Sequence, residues 1–287
     1  MTTTAPTARL LIASPDAQGI VAAVAGFIAE HCGNLLDADQ HTDMEHGEFF
    51  MRAVFDPTSC DLNRGNFADA WQPIAQRFNM SWSMRWSNEV RRMAILVGRQ
   101  AHCLQDLLWR HQAGELDAEI SLIISNHETL RADVEHAGIR FEHCPVTPET
   151  KPQQEQQIIE LLESNQIDVT VLARYMQILS PAFVDRFPGR IINIHHSFLP
   201  AFVGGDPYRQ AYERGVKIIG ATSHYVTSEL DAGPIIAQAV TPVSHRDTVA
   251  DLKRKGRDLE RMVLARAVRA HLEDRILTSA NRTVVFE

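Results

Sequence analysis

The sequence predicts an α/β protein of two domains: a small βαββαβ sheet, then a doubly wound, mostly parallel sheet. Three observations lead there. At 287 residues the chain exceeds what one core comfortably organises. Its first third runs strand, helix, strand, strand, helix, strand, with turn residues between the apolar runs. From Met93 onward, short strands alternate with helical segments, and Met93–Val97 is an apolar run without interruption, the pattern of a strand covered on both faces.

Arg9–Ala13 is a short apolar run ending at the turn Ser14-Pro15-Asp16. Gly19 opens a helix over Ile20–His31, with apolar residues at positions 20, 21, 24, 27 and 28, and Gly33-Asn34 stops it. Leu35–His41 and Glu48–Phe55 are strands joined by a polar turn at Glu45-His46-Gly47. A helix over Leu62–Phe78, kinked at Pro73, and a strand over Ser81–Trp86 complete a ferredoxin-like set across residues 1–86. The charged segment 87–92 is the linker, leaving 93–287 for the second domain. There, Met93–Val97, Ile120–Ile124, Val169–Leu172 and Ile191–Ile194 are strands. Leu104–Trp109, Glu128–Ala137, Pro152–Leu162 and a long charged helix over Val249–Leu272, packed on the outside, are helical. This order places ligands at the carboxyl ends of the parallel strands.

Composition narrows the function. Lys and Arg total 28 against 36 Asp and Glu, a net charge of -8, which disfavours nucleic acid and anionic membrane surfaces as partners. Met1–Ala8 lacks the basic and apolar regions of a secretion signal, and no run approaches the roughly 20 apolar residues of a membrane span. The cysteines Cys32, Cys60, Cys103 and Cys144 are scattered, as expected of reduced thiols in a cytoplasmic protein.

The densest chemical candidate is Asn193-Ile194-His195-His196-Ser197-Phe198-Leu199-Pro200. It follows Ile191-Ile192, so a period of two points Asn193 and His195 to one side of a strand end. An amide can donate to an oxygen that becomes negative, and an imidazole can move a proton near neutral pH. Alternatively, the two satisfy each other and cap a turn. Asp231, before Gly233-Pro234, either orients an imidazole or a water, or bonds its own turn backbone. His224 is either a further member of the site or a partnered core histidine. No helical His-x-x-x-His spacing is present. Adjacent pairs such as His195-His196 point to opposite faces, so no metal site is expected.

These stretches resemble the 10-formyltetrahydrofolate-dependent formyltransferase fold, and within it the formyltetrahydrofolate deformylase family. The likeness covers nearly the whole chain. Ser14-Pro15-Asp16 with Gly19-Ile20-Val21 is similar to the start of an ACT domain. Arg174-Tyr175-Met176-Gln177-Ile178-Leu179-Ser180 resembles the family's folate-pocket loop. Lys255-Gly256-Arg257-Asp258, Leu272–Arg275 and Thr283-Val284-Val285-Phe286 resemble its tail. The resemblance implies that Asn193 donates to the formyl oxygen and that His195 serves water and the departing N10 as acid or base. Asp231 would orient His195 and the water. Gln177, Ile178 and Leu179 would line the pterin site largely through backbone groups, with Val184 packed on the ring and His224 behind the catalytic groups. It further implies that 10-formyltetrahydrofolate is a substrate, with no cofactor and no metal. Glycine or methionine is the implied effector at paired ACT domains in a homodimer or homotetramer. Ala17-Gln18 departs from the usual Arg-Pro before Gly19, and Gly204-Gly205-Asp206 from the usual Gly-Ala-Asn.

Water is the expected acceptor. Gly98-Arg99-Gln100-Ala101-His102-Cys103 has one glycine where a phosphate cradle needs several. His196 stands where the transferases tend to carry proline, and no basic tRNA-binding domain is appended. The alternatives are formyl transfer to an amine such as a sugar nucleotide, and a regulator that binds folate or an amino acid without turnover.

Overall fold

The computed structural model describes residues 6–201 and 206–287, so Gly204-Gly205 of the departure noted above lies outside the described residues. The chain divides into two compact units. The first begins with β1 (Ala8–Pro15), α1 (Ile20–Glu30), β2 (Asn34–Asp43), β3 (Glu48–Asp56), α2 (Phe67–Arg77) and β4 (Ser81–Trp86). Its antiparallel sheet has the order β2-β3-β1-β4. The period-two face of β1 and β3, including Leu10, Ile12, Met51 and Phe55, packs on Val24, Phe27 and Trp71 of the two helices. Gly19 takes φ 91, which opens α1 at no steric cost. Helix α2 starts at Phe67, later than the expected Leu62. Asn63 and Asn66 side chains accept from the backbone of Gly65 and Asn63 at 2.8 and 2.6 Å and hold a turn in place of the first helical turn. The helix continues through Pro73.

The second unit contains β5 (Arg91–Val97), α3 (His102–Gln112), β6 (Ala118–Ser125), α4 (Arg131–His136), β7 (Phe141–His143), α5 (Lys151–Ser164) and β8 (Val169–Ala173). It continues with α6 (Pro181–Arg186), β9 (Ile191–His195), α7 (Pro207–Arg214), β10 (Ile218–Tyr225), β11 (Ile235–Pro242) and α8 (Val249–Leu272). The sheet order is β11-β10-β9-β8-β5-β6-β7. Strands β5 to β9 are parallel, whereas β10 runs antiparallel to β9 and β11 to β10. The chain builds outward from β5 to β7 and then returns to the other side of β5 with β8. The crevice at the carboxyl ends of β5 and β8 is therefore the topological switch point. Helix α8 is less peripheral than its charge implied. Its Leu259, Val263, Leu264 and Val268 are buried, and it packs on β9, β10 and β11. Thr248 and Asp251 cap it reciprocally, at 3.2 and 3.0 Å.

The division differs from the expected one in two places. Arg91 and Arg92 belong to β5, where Arg91 pairs with Ala118 and the Arg92 N–H donates to Asp168 at 2.8 Å. The tail, with β12 (Ile276–Ser279) and β13 (Arg282–Val285), does not stay with the second unit: Asp274–Ser279 and Val284–Glu287 belong to the first. Asp274 anchors it, its carbonyl accepting from Arg52 Nε at 3.0 Å and its carboxylate lying 3.4 Å from Arg9. Among the described residues, no helix is long and apolar enough to cross a membrane.

Candidate active site

The site is assembled where β8, β9 and β10 meet. Strand β9 buries Ile191, Ile192 and Ile194 and leaves Asn193 and His195 facing the crevice. Because β10 is antiparallel to β9, His224 pairs directly with Asn193. The loop after β10 must then return to the same place. A Cβ on Gly233 would lie 1.9 Å from the Tyr225 carbonyl oxygen, so only glycine permits this approach. The Tyr225 N–H donates to Pro234 O at 2.9 Å and locks the return. Asp231 sits on this loop at φ 55, a left-handed conformation that Asp tolerates better than most residues.

The result is a connected set of polar groups. His195 Nδ1 lies 3.2 Å from Asp231 Oδ2, and His224 Nε2 lies 3.7 Å from Asp231 Oδ1. His224 Nδ1 is 2.9 Å from the Tyr225 carbonyl, an acceptor, so this nitrogen carries the proton. His224 Nε2 is then the acceptor for Asn193 Nδ2, 3.2 Å away. A carboxylate likewise only accepts, so His195 donates from Nδ1 and leaves Nε2 turned away from Asp231. That Nε2 is buried and has no hydrogen-bond partner among the described residues. The hydrogen bond from His195 is the main cause that holds the Asp231 carboxyl well below the usual carboxylate range. Asn193 and His195 therefore do not satisfy each other, and Asp231 faces two imidazoles instead of its own turn.

His196 corrects one expectation. The two rings do not point to opposite faces, because β9 ends at His195 and the backbone turns; they stack with centroids 5.1 Å apart. Burial, and then the nearby Arg174 charge, push His196 down to about 4, so it is neutral near pH 7. These groups line a cleft of about 390 Å³. Its other end is formed by the loop after β8, including Met176, Gln177, Ile178 and Leu179, and by Val226, Thr227, Ser228 and Leu230. Val184, expected on the ligand's ring, is instead 4% exposed and packed among Leu172, Phe183 and Phe187, because α6 turns that face into the core.

Gly98 is required for a reason other than anion binding. Its N–H already donates to Arg174 O at 3.1 Å, and a Cβ would stand 2.6 Å from that oxygen. His102, Cys103 and Glu260 bring potential metal-ligand atoms within 4.8 Å of one another. Glu260, however, already faces His102 Nε2 at 2.7 Å, Tyr208 OH at 2.6 Å and Arg174 Nε at 3.5 Å. A fixed guanidinium beside the carboxylate opposes a further cation. Burial and the Glu260 charge push the Cys103 thiol up, away from the thiolate form.

The formyl transferase family profile matches residues 91–268. A formyltetrahydrofolate deformylase from Synechocystis is 54% identical over 98% of both chains. This chain belongs to the formyltetrahydrofolate deformylase family. A solved deformylase from Pseudomonas syringae superimposes with a TM-score of 0.97 at 49% identity, covering 100% of this chain and 96% of that one. A glycinamide ribonucleotide transformylase from Symbiobacterium toebii covers 70% of this chain and 97% of its own, at 31% identity and a TM-score of 0.66. The deformylase likeness thus extends over the full chain, and the transformylase likeness over part of it. Sequence reading gave no individual role to Arg174, Met176 or His196. The signal for Arg174 was available: a charged residue directly follows the buried, mostly apolar strand β8.

Proposed function

We propose that this chain hydrolyses 10-formyltetrahydrofolate to formate and tetrahydrofolate in the cleft at the ends of β8 and β9. The observation that carries this reading is His195, whose Nδ1 is tied to Asp231 while its buried Nε2 lacks a partner. In that tautomer Nε2 takes a proton from water as the water oxygen attacks the formyl carbon, and delivers it to N10 as the C–N10 bond breaks. Asp231, held as a carboxylate, stabilises the imidazolium formed between these steps. Asn193 directs one amide hydrogen to His224 and keeps the other for the formyl oxygen as it gains charge. His224 positions Asn193 and Asp231 and does not touch the reacting carbon.

Gln177, Ile178 and Leu179 receive the pterin at the far end of the cleft, and Val184 supports that wall from behind. No metal, cofactor or covalent intermediate enters this scheme, since the chain's own groups supply the base, the acid and the oxyanion donor. For the first unit the reading is an ACT-like module in a cytoplasmic homodimer or homotetramer, with glycine or methionine as effector. Supporting it, β2 is largely exposed along its length at the edge of the sheet. Incubation of the purified chain with 10-formyltetrahydrofolate alone tests the function. Formate and tetrahydrofolate should appear in equal amounts; formation only when an amine is added would replace hydrolysis by transfer.

A further inference from the structure

Arg174 lines the cleft, and the scheme above does not use it. It follows β8 directly, at the switch point, with φ 62 and 7% exposure. Its guanidinium Nε lies 3.5 Å from Glu260 Oε2, so a carboxylate that is itself 1% exposed balances its charge. Its donors are not satisfied in the same way. Nε and Nη1 are buried and have no hydrogen-bond partner among the described residues, whereas Glu260 accepts from Tyr208 and lies within bonding distance of His102. An arginine buried only for structure directs its donors at acceptors, because an unpaired buried N–H loses its hydration with nothing in return. Among the described side chains lining the cleft, only His195 Nε2 shares this condition.

The missing partner of His195 is water and N10. The missing partner of Arg174 must accept hydrogen bonds and match a positive charge. Hydrolysis makes such a group. The water oxygen bonds to the formyl carbon, the C–N10 bond breaks, one water proton ends on N10, and the other dissociates near neutral pH. The one-carbon product is then formate anion, whereas transfer to an amine would release a neutral formamide. We propose that Arg174 is the formate-binding residue of the cleft, its guanidinium taking the product carboxylate as it separates from N10. The inference rests on the hydrolytic reading and would make Arg174 a group that hydrolysis needs and amine transfer does not.

The folate also carries glutamate carboxylates, and the test separates the two sources. Tetrahydrofolate formation is followed while sodium formate is added, with sodium chloride as the ionic control. Formate should inhibit the wild-type protein saturably. In Arg174→Met its inhibition constant should rise about 10-fold or more, the loss of one charged hydrogen bond, while KM for the folate moves little. Arg174→Lys should fall between. Should Arg174→Met fail to fold, Arg174→Met with Glu260→Gln removes both buried charges and should show the same loss. Titration of the wild-type protein with 13C-formate gives a binding signal independent of turnover. Equal formate inhibition in wild type and variant, or wild type no more sensitive to formate than to chloride, would overturn the assignment. So would a raised folate KM with unchanged formate inhibition, which would put Arg174 on the glutamate carboxylates. Absence of tetrahydrofolate formation in the wild type without added formate would instead remove the hydrolytic reading.

Discussion

At the centre of the first unit, Phe27, Phe67 and Trp71 lie with ring centroids 5.0 to 6.2 Å apart, and Trp71 is fully buried. Among the described residues, the buried polar atoms without partners there are the Ser14 hydroxyl and the Trp71 indole N–H, neither of which titrates near neutral pH. At the cleft of the second unit the corresponding atoms belong to an imidazole and a guanidinium. Both regions tolerate unsatisfied groups, but only the second does so with groups that can move a proton or hold an anion. The contrast shows that an orphaned atom points to function through its chemistry and its access to a cleft, and burial alone does not distinguish the cases.

That comparison can be broken at the cleft first. His195→Ala should lower the rate of formate release by about 10²–10⁴, and Asn193→Ala by about 10²–10³, with folate affinity nearly kept. Wild-type turnover in either variant would mean that the buried imidazole is as inert as the indole of Trp71. Trp71→Ala tests the other side. It should destabilise the first unit by about 3–5 kcal/mol in denaturant titration, yet leave formate release per folded molecule close to wild type. A collapse of kcat in folded protein would show that the aromatic core is not chemically silent.

Asp231→Asn sharpens the electrostatic part. The Asp231 carboxyl is held below its ordinary range, so it contributes stability that is fully present above that range and lost as pH falls through the lower, folded value. The stability gap between wild type and Asp231→Asn should therefore be widest near neutrality and close on acidification. A gap independent of pH would reject the charged pairing. The smallest effect is expected at a helix end that belongs to neither region. Thr248→Ala removes the cap of α8 and should cost about 1 kcal/mol, read as a shift in denaturation midpoint.

Several elements were legible for direct reasons. Strand β4 and helix α8 were predicted with their observed bounds, because each has a sharp pattern and a clear stop. Asn193 and His195 were placed together by the two-residue period of a strand following Ile191-Ile192. Strand β7 escaped notice because three residues, Phe141–His143, are too few to show a period. The burial of Val184 was not legible, because a folate-loop resemblance says nothing about which way the six-residue helix α6 turns its side chains. The tail was assigned to the wrong unit because Asp274 is fixed by Arg9 and Arg52, more than two hundred residues earlier.

Local pattern by itself determined the strand and helix order of the first unit, the strand end carrying Asn193 and His195, and the glycine-proline turn beside Asp231, since each depends on residues within one or two turns of chain. Only the tertiary structure decided which polar groups meet. The antiparallel entry of β10 sets His224 against Asn193, and the bare Gly233 lets Asp231 return to His195. Arg174 acquires its carboxylate from α8, 86 positions away in the chain. Such pairings depend on strand order and on contacts distant in sequence, which no period along the chain encodes.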